Sequence, residues 1–148
     1  MKCEADCYSI ADLKKDKKTG WDGVRNYVAR NHMKAMQVGD QAIFYNSNGD
    51  PSGAAGTMTI AKAAYPDPSA FDPKDKDHYD PKSNPENPTW YHVDVAYAST
   101  FKRFVSLDEL KEDAKLQGML LTSGKASRLS VQPMEKKHFE RIIKLGMG

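Results

Sequence analysis

Residues 90–104 read WYHVDVAYASTFKRF, and this stretch decides the fold class. Apolar side chains such as Val93 and Val95 alternate with polar ones, and a period of two residues is typical of a β-strand with one buried face. Two shorter stretches, QAIFY at 41–45 and GTMTIAKA at 56–63, are rich in strand-forming residues and have a turn-forming segment between them. The sequence therefore predicts a sheet in which these two stretches are neighbouring strands.

The remaining periodic segments predict helices at the edges of that sheet. The predicted helices are 8–13, with Ser9 as its cap and the lysine-rich run 14–18 as its end; 26–36, closed by Gly39; 106–116, opened by a capping box from Ser106 to Glu109; and a last helix that begins at Pro133. Residues 128–131 are predicted as one more short strand. The fold class is therefore mixed α/β (α+β), a curled sheet or small barrel with flanking helices.

A proline-rich segment interrupts this pattern. Six of the eight prolines lie between Pro66 and Pro88, so 65–89 is predicted to be neither helix nor central strand. Long loops inside compact domains are often functional, which makes this loop a candidate lid or rim of a site. The length of 148 residues suits one domain, and we expect 1–148 to form it.

Charge and composition narrow the classes of partner. The formal net charge is only +2, so contact with a phosphate backbone requires a local basic patch. No apolar run approaches the ~20 residues that span a bilayer, and the amino terminus is charged where a secretory signal is apolar. We predict a soluble intracellular protein with no membrane partner. Cys3 and Cys7 lack a second ligand pair for zinc and are expected to be reduced thiols.

No catalytic or cofactor motif is apparent. The four histidines have no metal-ligand spacing, and the glycines match neither a Walker loop nor a dinucleotide fingerprint. We expect no metal, no cofactor and no assembled catalytic triad. Cys3 as a nucleophile is weaker than its reading as a small buried thiol.

Two polar clusters are candidates for a binding pocket. The first is WDGVRN from Trp21 to Asn26, and the second is the strand end from Tyr45 to Asn48. A structural alternative stays open for both: Trp21 is simply core and Arg25 pairs with Asp22, while amide and hydroxyl side chains are what any turn requires.

Taken in order, several motifs carry a resemblance. They are MKCEAD at 1–6 followed by Tyr8 and Ser9, WDGVRN at 21–26, FYNSN at 44–48, AAG at 54–56, AYPD at 64–67, HYDP at 78–81, NPTW at 87–90, VDV at 93–95 and RLSVQP at 128–133. Together they resemble the EVE domain family, in particular its thymocyte nuclear protein branch, over nearly the whole chain.

The resemblance implies a PUA-like fold, a curved sheet or pseudo-barrel related to the YTH readers of methylated adenine. It implies a non-enzymatic reader that binds a flipped-out modified base, with modified cytosine in DNA preferred over methylated RNA. We expect a monomer, nuclear in a eukaryote and otherwise cytoplasmic.

The resemblance also suggests the pocket. Trp21 matches a pocket tryptophan, and Trp90 lies in the segment that carries a second aromatic wall in YTH domains. The polar positions that border the cavity are Lys2, Cys3, Glu4, Arg25, Asn26, Tyr45, Asn46 and Ser47. Cys3 replaces a serine of the family, so a thiol, which is a weaker donor, takes the place of a hydroxyl. Because only Met1 precedes Lys2, we expect a shortened sheet edge or a late start of the chain.

Aromatic walls would replace the stacking that an everted base loses, at ~1 to 3 kcal/mol per base. Phosphate contacts are predicted from Lys14, Lys15, Lys17, Lys18, Lys102, Arg103 and Arg128, although each run is also typical of a solvated charged face. Two other functions stay open. One is a nucleotide or nucleoside hydrolase, as in related ASCH proteins, using Cys3, Glu4 and Asp80; the other is a protein-interaction adaptor that uses the 65–89 loop.

Overall fold

The computed structural model describes residues 1–4, 8–21, 24–47, 52–76, 78–83, 86, 88–117, 119, 121–122 and 130–147, with the backbone alone for residues 3 and 4. The strands are β1 (Lys2–Glu4), β2 (Lys18–Gly20), β3 (Gln41–Ser47), β4 (Gly53–Pro66) and β5 (Tyr91–Ser106). The helices are α1 (Ile10–Asp16), α2 (Tyr27–Ala35), α3 (Leu107–Glu112) and α4 (Lys136–Met147), with short 3-10 helices at Pro68–Phe71 and Ala114–Leu116. None of the helices in these ranges is long and apolar enough to cross a bilayer.

The strands form a single five-stranded sheet in the order β1-β3-β4-β5-β2. β1 runs parallel to β3, and the other neighbouring pairs are antiparallel. The long β4–β5 ladder changes register at four places, and such bulges bend a sheet and increase its twist. The predicted mixed α+β class with a curved sheet and flanking helices is confirmed.

The strand predictions succeed where the apolar pattern is long. β3 and β4 are antiparallel neighbours, as predicted, and β5 occupies the stretch predicted from alternation. β2 was not predicted: it lies at the end of the lysine run and forms a strand because it pairs with Asp94–Ala96 of β5. The predicted strand at 128–131 is wrong for Ser130 and Val131, which are bends, while 128–129 lie outside the described residues.

The helix starts follow the predicted caps. The Ser9 hydroxyl accepts from the Asp12 amide at 3.1 Å and the Asp12 carboxylate accepts from the Ser9 amide at 2.9 Å, which closes a capping box at α1. At α3 only half of the predicted box is present. Ser106 accepts from the Glu109 amide, but the Glu109 carboxylate is turned toward Arg103 instead.

The helix ends differ from the predictions. α2 ends at Ala35, and Gly39 lies beyond it in a turn at φ 96°, which a glycine adopts readily. α4 begins at Lys136 rather than at Pro133.

Two hydrophobic cores lie on the two sides of the sheet. One contains Leu13 of α1, Met33 of α2 and Phe44 of β3, and we call this side the first face. The other contains Leu110 of α3 and Ile142 of α4, together with Ile43 and Tyr45 of β3, and we call this side the second face. Because successive side chains of a strand point to opposite sides, β3 contributes alternately to the two cores.

β5 also supplies both cores, although all its core residues have odd numbers. Val93 and Val95 belong to the first face, whereas Phe101 and Val105 belong to the second. The exchange occurs at a bulge: Met58 pairs with Tyr97 and Thr57 pairs with Ser99, so one residue of β5 is left over. A one-residue slip reverses the side of every residue that follows it.

Candidate functional site

Trp21 lies where β2 leaves the sheet. Its backbone amide donates to the Val93 carbonyl at 2.8 Å, which continues the β2–β5 ladder by one residue. Its indole meets the Phe44 ring edge to face, with centroids 5.6 Å apart, and the residue is 8% exposed. Trp21 is therefore part of the first-face core, close to the edge of the sheet.

Asn46 shares that face. It lies two residues after Phe44 on β3, so strand alternation directs it to the same side as the indole. Its side-chain carbonyl oxygen is buried and has no hydrogen-bond partner among the described residues. Leaving a buried acceptor unpaired costs ~1 to 3 kcal/mol, so the oxygen is available to a donor from outside the chain.

The β1–β3 pairing brings the amino-terminal motif next to Asn46. Cys3 is aligned with Asn46 and Glu4 with Ser47, so the backbone of the predicted pocket motif lies beside the strand end that carries the amide. The side chains of residues 3 and 4, like Asp22 and Asn48, lie outside the described residues.

Trp90 has a different environment from Trp21. Its ring stacks on Tyr27, with centroids 5.0 Å apart and planes 25° apart, and its indole N–H donates to the Asp80 carboxylate at 2.7 Å. Among the described ring contacts, each indole packs against another aromatic residue and the two indoles do not contact each other. The predicted sandwich between Trp21 and Trp90 is therefore not formed by these ring contacts; Tyr27, which is 60% exposed, covers Trp90.

Arg25 fastens the proline-rich loop to the domain. Its guanidinium donates to the His78 carbonyl at 2.6 Å and 3.0 Å, to the Ser69 hydroxyl at 3.1 Å and to the Asp67 carboxylate at 3.2 Å. The Asp67 side chain is fully buried, and the Arg25 guanidinium also lies 5.3 Å from the centre of the Trp90 ring. Arg25 thus pairs with Asp67, rather than with Asp22 as the structural alternative had it.

Asn26 has a structural role as well. Its side-chain oxygen accepts from the amides of Val28 and Ala29 at 2.9 Å and 3.0 Å, which caps α2. An oxygen that already accepts two bonds has little capacity left for a ligand.

Asp80 belongs to the same clamp of the loop. Besides the Trp90 indole it accepts from the Lys82 amide at 2.9 Å. The hydrogen bond from Trp90, followed by that from Lys82, lowers the pKa of this carboxyl group. The group is therefore ionised and fully engaged at neutral pH, which is unsuited to a general acid.

Three predicted pocket residues belong to the second face. Lys2 and Tyr45 line a cavity between β3 and the residues that precede α4, and Ser47 follows the alternation to the same side. The predicted pocket set is thus divided between the two faces of the sheet.

The predicted phosphate contacts also differ in kind. The cations Lys14, Lys15, Lys17, Lys18 and Lys102 are exposed. Arg103 is bound to Glu109 and donates to the Leu145 carbonyl at 3.0 Å, so its guanidinium is occupied. Arg128 lies outside the described residues.

Sequence reasoning missed two side chains that the structure places at these sites. Tyr27 follows the α2 cap and carries no signal of its contact with Trp90. His138 lines the second-face cavity and is 4% exposed. Its spacing of four residues from Ile142 places it on the apolar face of α4, which could have marked it. Within the described part of the chain, no group of three or more histidine, cysteine or acidic residues is arranged to hold a metal ion.

Comparison with known proteins gives consistent results. Residues 1–145 match the sequence model of the EVE domain. Human thymocyte nuclear protein 1 is 44% identical over 93% of this chain, which spans 64% of the length of that relative. A crystal structure of a Pseudomonas syringae protein is similar with a TM-score of 0.93 at 40% identity, covering 99% of this chain and 97% of that one. The crystal structure of the human THYN1 protein in complex with DNA containing 5-methylcytosine has a TM-score of 0.87 at 42% identity, covering 95% of this chain and 86% of that one.

Proposed function

Because this chain belongs to the EVE domain family, we propose that it binds nucleic acid that carries a modified base, with 5-methylcytosine in DNA as the first candidate. The observation that carries the proposal is the similarity, in sequence and structure, to the human THYN1 protein bound to such DNA. The name of the human relative, a nuclear protein, is consistent with a site of action on DNA.

We place the base on the first face, between Trp21 and Asn46. The unpaired Asn46 oxygen is an acceptor, and the exocyclic amine that distinguishes cytosine is a donor. An everted base would satisfy this oxygen while its ring contacts the edge of the Trp21–Phe44 pair, which offers apolar surface in exchange for lost stacking. A 5-methyl group adds only a small apolar increment, so we expect modest discrimination from unmodified cytosine.

Trp90 would then act as a positioning residue. Through Asp80 on one side and Tyr27 on the other, it joins the proline-rich loop to α2 near the first face. For Trp90 itself to form the second wall of a sandwich, Tyr27 would have to leave its ring. A Tyr27→Ala variant tests this: exposing the Trp90 ring would raise affinity for the modified duplex if Trp90 is a wall and would leave it unchanged if Trp90 only positions the loop.

The central experiment titrates fluorescent duplexes that carry cytosine, 5-methylcytosine or 5-hydroxymethylcytosine, and methylated RNA, against the protein. We expect the 5-methylcytosine duplex to bind best and Asn46→Leu to weaken it about tenfold, since the amine of the base would lose its acceptor. Ser47→Ala, one residue further on the opposite face, is the matched control and should bind like the unaltered chain. Equal binding by all three proteins would refute the placement, and no binding by any of them would refute the function.

The lysines of α1 are suited to contact phosphates because this run leads directly into β2 and Trp21. We expect Lys14→Gln and Lys15→Gln to weaken all duplexes alike and to reduce the slope of log affinity against log salt by about 0.9 for each phosphate that is no longer neutralised. Lys136→Gln, at an exposed lysine of α4, is the control. An unchanged salt slope would exclude these lysines from the interface.

We further propose that binding is not followed by chemistry. The engaged Asp80 carboxylate supports this, because the hydrolase alternative requires it as an acid or base. Incubation with modified nucleosides and nucleotides, followed by chromatography, should return them unchanged. Any hydrolysis product that appears in proportion to protein would contradict the proposal. The adaptor alternative gains no support from the loop, whose residues Asp67, Ser69 and His78 are bound by Arg25.

A further inference from the structure

The second face of the sheet contains a cavity of about 350 Å³, separate from Trp21 and Asn46. It is enclosed by β1 and β3 on one side and by the chain around and before α4 on the other. The side chains and backbone that line it belong to Met1, Lys2, Ile43, Tyr45, Met119, Leu121, Ser130, Gln132, Pro133, Met134, Glu135 and His138. A volume of this size is at the lower end of the range for small-molecule sites.

Most of the wall is apolar and adaptable. Ile43 and Met119 belong to the second core, and Leu121 and Met134 pack against it. Methionine has three flexible side-chain bonds and a polarisable sulfur, so it adjusts to the shape of a guest and makes favourable contacts with aromatic rings. Such a wall fits a flat or chain-like apolar body.

Two polar groups in this wall have no hydrogen-bond partner in the part of the chain that the structure describes. Tyr45 and His138 are 5% and 4% exposed, yet neither the Tyr45 hydroxyl nor the His138 imidazole makes a hydrogen bond within the described residues. The Tyr45 pKa is raised by burial, which agrees with a hydroxyl that is removed from water. Buried polar groups in folded proteins are nearly always paired, and two unpaired groups in one cavity wall indicate a missing ligand.

The charge of the wall selects the ligand. Lys2 is half-buried, and desolvation lowers its pKa. A nearby anion would offset that cost. The acid in this lining, Glu135, is exposed and lies 3.3 Å from the amine of Lys137, so its charge is already compensated. A cation and two hydrogen-bonding heads favour an anionic head group with acceptor oxygens.

We propose that this cavity binds a small monocarboxylate with an apolar body. The carboxylate would accept from the Tyr45 hydroxyl and the His138 imidazole near Lys2, and the apolar body would lie against Ile43 and the methionines. The site is on the opposite side of the sheet from the proposed base site, so the two proposals stand or fall separately.

Cinnamate is a suitable probe, with cinnamyl alcohol as its neutral counterpart. Both would be titrated into protein with ¹³C-labelled methionine methyl groups and followed by NMR. We expect cinnamate to shift the Met119 and Met134 methyl signals to saturation and to leave Met33 and Met58 of the first core unchanged. The alcohol should bind about tenfold more weakly, since it lacks the charge that Lys2 compensates.

A pair of histidine variants locates the head group. His138→Phe keeps a ring of similar size and should weaken cinnamate about tenfold while binding the modified duplex like the unaltered chain. His92→Phe makes the same change at another buried histidine, which does not line this cavity, and should bind cinnamate normally. Unmoved Met119 and Met134 signals, equal shifts of all methionine signals, or full affinity in His138→Phe would each overturn the proposal; should His138→Phe fail to fold, the titration of the unaltered protein decides.

Discussion

Arg25 and Asn46 lie in two neighbouring motifs of one predicted pocket, but the fold treats their polar groups in opposite ways. The guanidinium of Arg25 is bound by a buried carboxylate, a hydroxyl and a backbone carbonyl, all from the proline-rich loop. The Asn46 oxygen is equally withdrawn from water but is bound by nothing in the described part of the chain. A satisfied cluster stabilises the fold, whereas an unsatisfied acceptor costs stability and is retained where a ligand can complete it.

The largest effect is expected from breaking the satisfied cluster. Arg25→Ala leaves the fully buried Asp67 carboxylate without a countercharge and should lower the free energy of unfolding by about 3 to 5 kcal/mol. Urea denaturation measures this. Arg103→Ala, which breaks an exposed ion pair with Glu109, is the control and should cost at most about 1 kcal/mol. Similar losses in the two variants would show that the loop clamp is no more than a surface contact.

A smaller effect is expected at the other end of the clamp. Trp90→Phe retains a ring for Tyr27 but removes the N–H that donates to Asp80, and should cost about 1 to 2 kcal/mol at neutral pH because a hydrogen bond to a charged group is lost.

The same variant should alter the pH dependence of stability. Because the Asp80 pKa is lowered in the folded protein, its contribution is complete above the ordinary value of 3.8 and is lost as the pH falls below it. The unfolding free energy of Trp90→Phe should therefore fall less steeply below about pH 4 than that of the unaltered protein. Parallel acid titrations of the two would contradict this origin of the shift.

An unsatisfied group without a proposed ligand should respond in the opposite direction. Neither ring nitrogen of the buried His92 has a hydrogen-bond partner among the described residues, and its ring packs against Tyr65 at 4.3 Å between centroids. His92→Leu should raise the free energy of unfolding by about 1 kcal/mol, because an apolar side chain has no desolvation cost there. A loss of stability in this variant would mean that the imidazole has a partner in solution, such as an ordered water.

The smallest change in stability is expected at Asn46 itself. Asn46→Leu removes the unpaired oxygen and should leave stability unchanged or raise it by about 0.5 kcal/mol while binding of the modified duplex falls. Thermal unfolding measured beside the duplex titration checks both. If the variant is clearly less stable, Asn46 is a structural residue like Arg25 and the contrast between them disappears.

The elements and their order could be predicted from the sequence, but the grouping of the site residues could not. Ser9 and Asn26 mark helix starts because their side chains bond to amides only two or three residues away. The predicted sandwich of Trp21 and Trp90 failed for the opposite reason: their partners, Phe44 and Tyr27, are chosen by contacts that local patterns do not encode. The role of Arg25 depends on loop residues more than 40 positions away.

Local periodicity and turn chemistry, which act over a few residues, were enough to determine the mixed α+β class, the long strand β5, the capped helices and, through the order of its motifs, the family. Tertiary structure alone decided that Lys2 and Tyr45 lie on one side of the sheet while Trp21 and Asn46 lie on the other, and that Arg25 and Asp80 serve the loop. The reason is physical: which side of a sheet a residue occupies depends on strand register and bulges, and which polar groups remain unpaired depends on packing between distant segments.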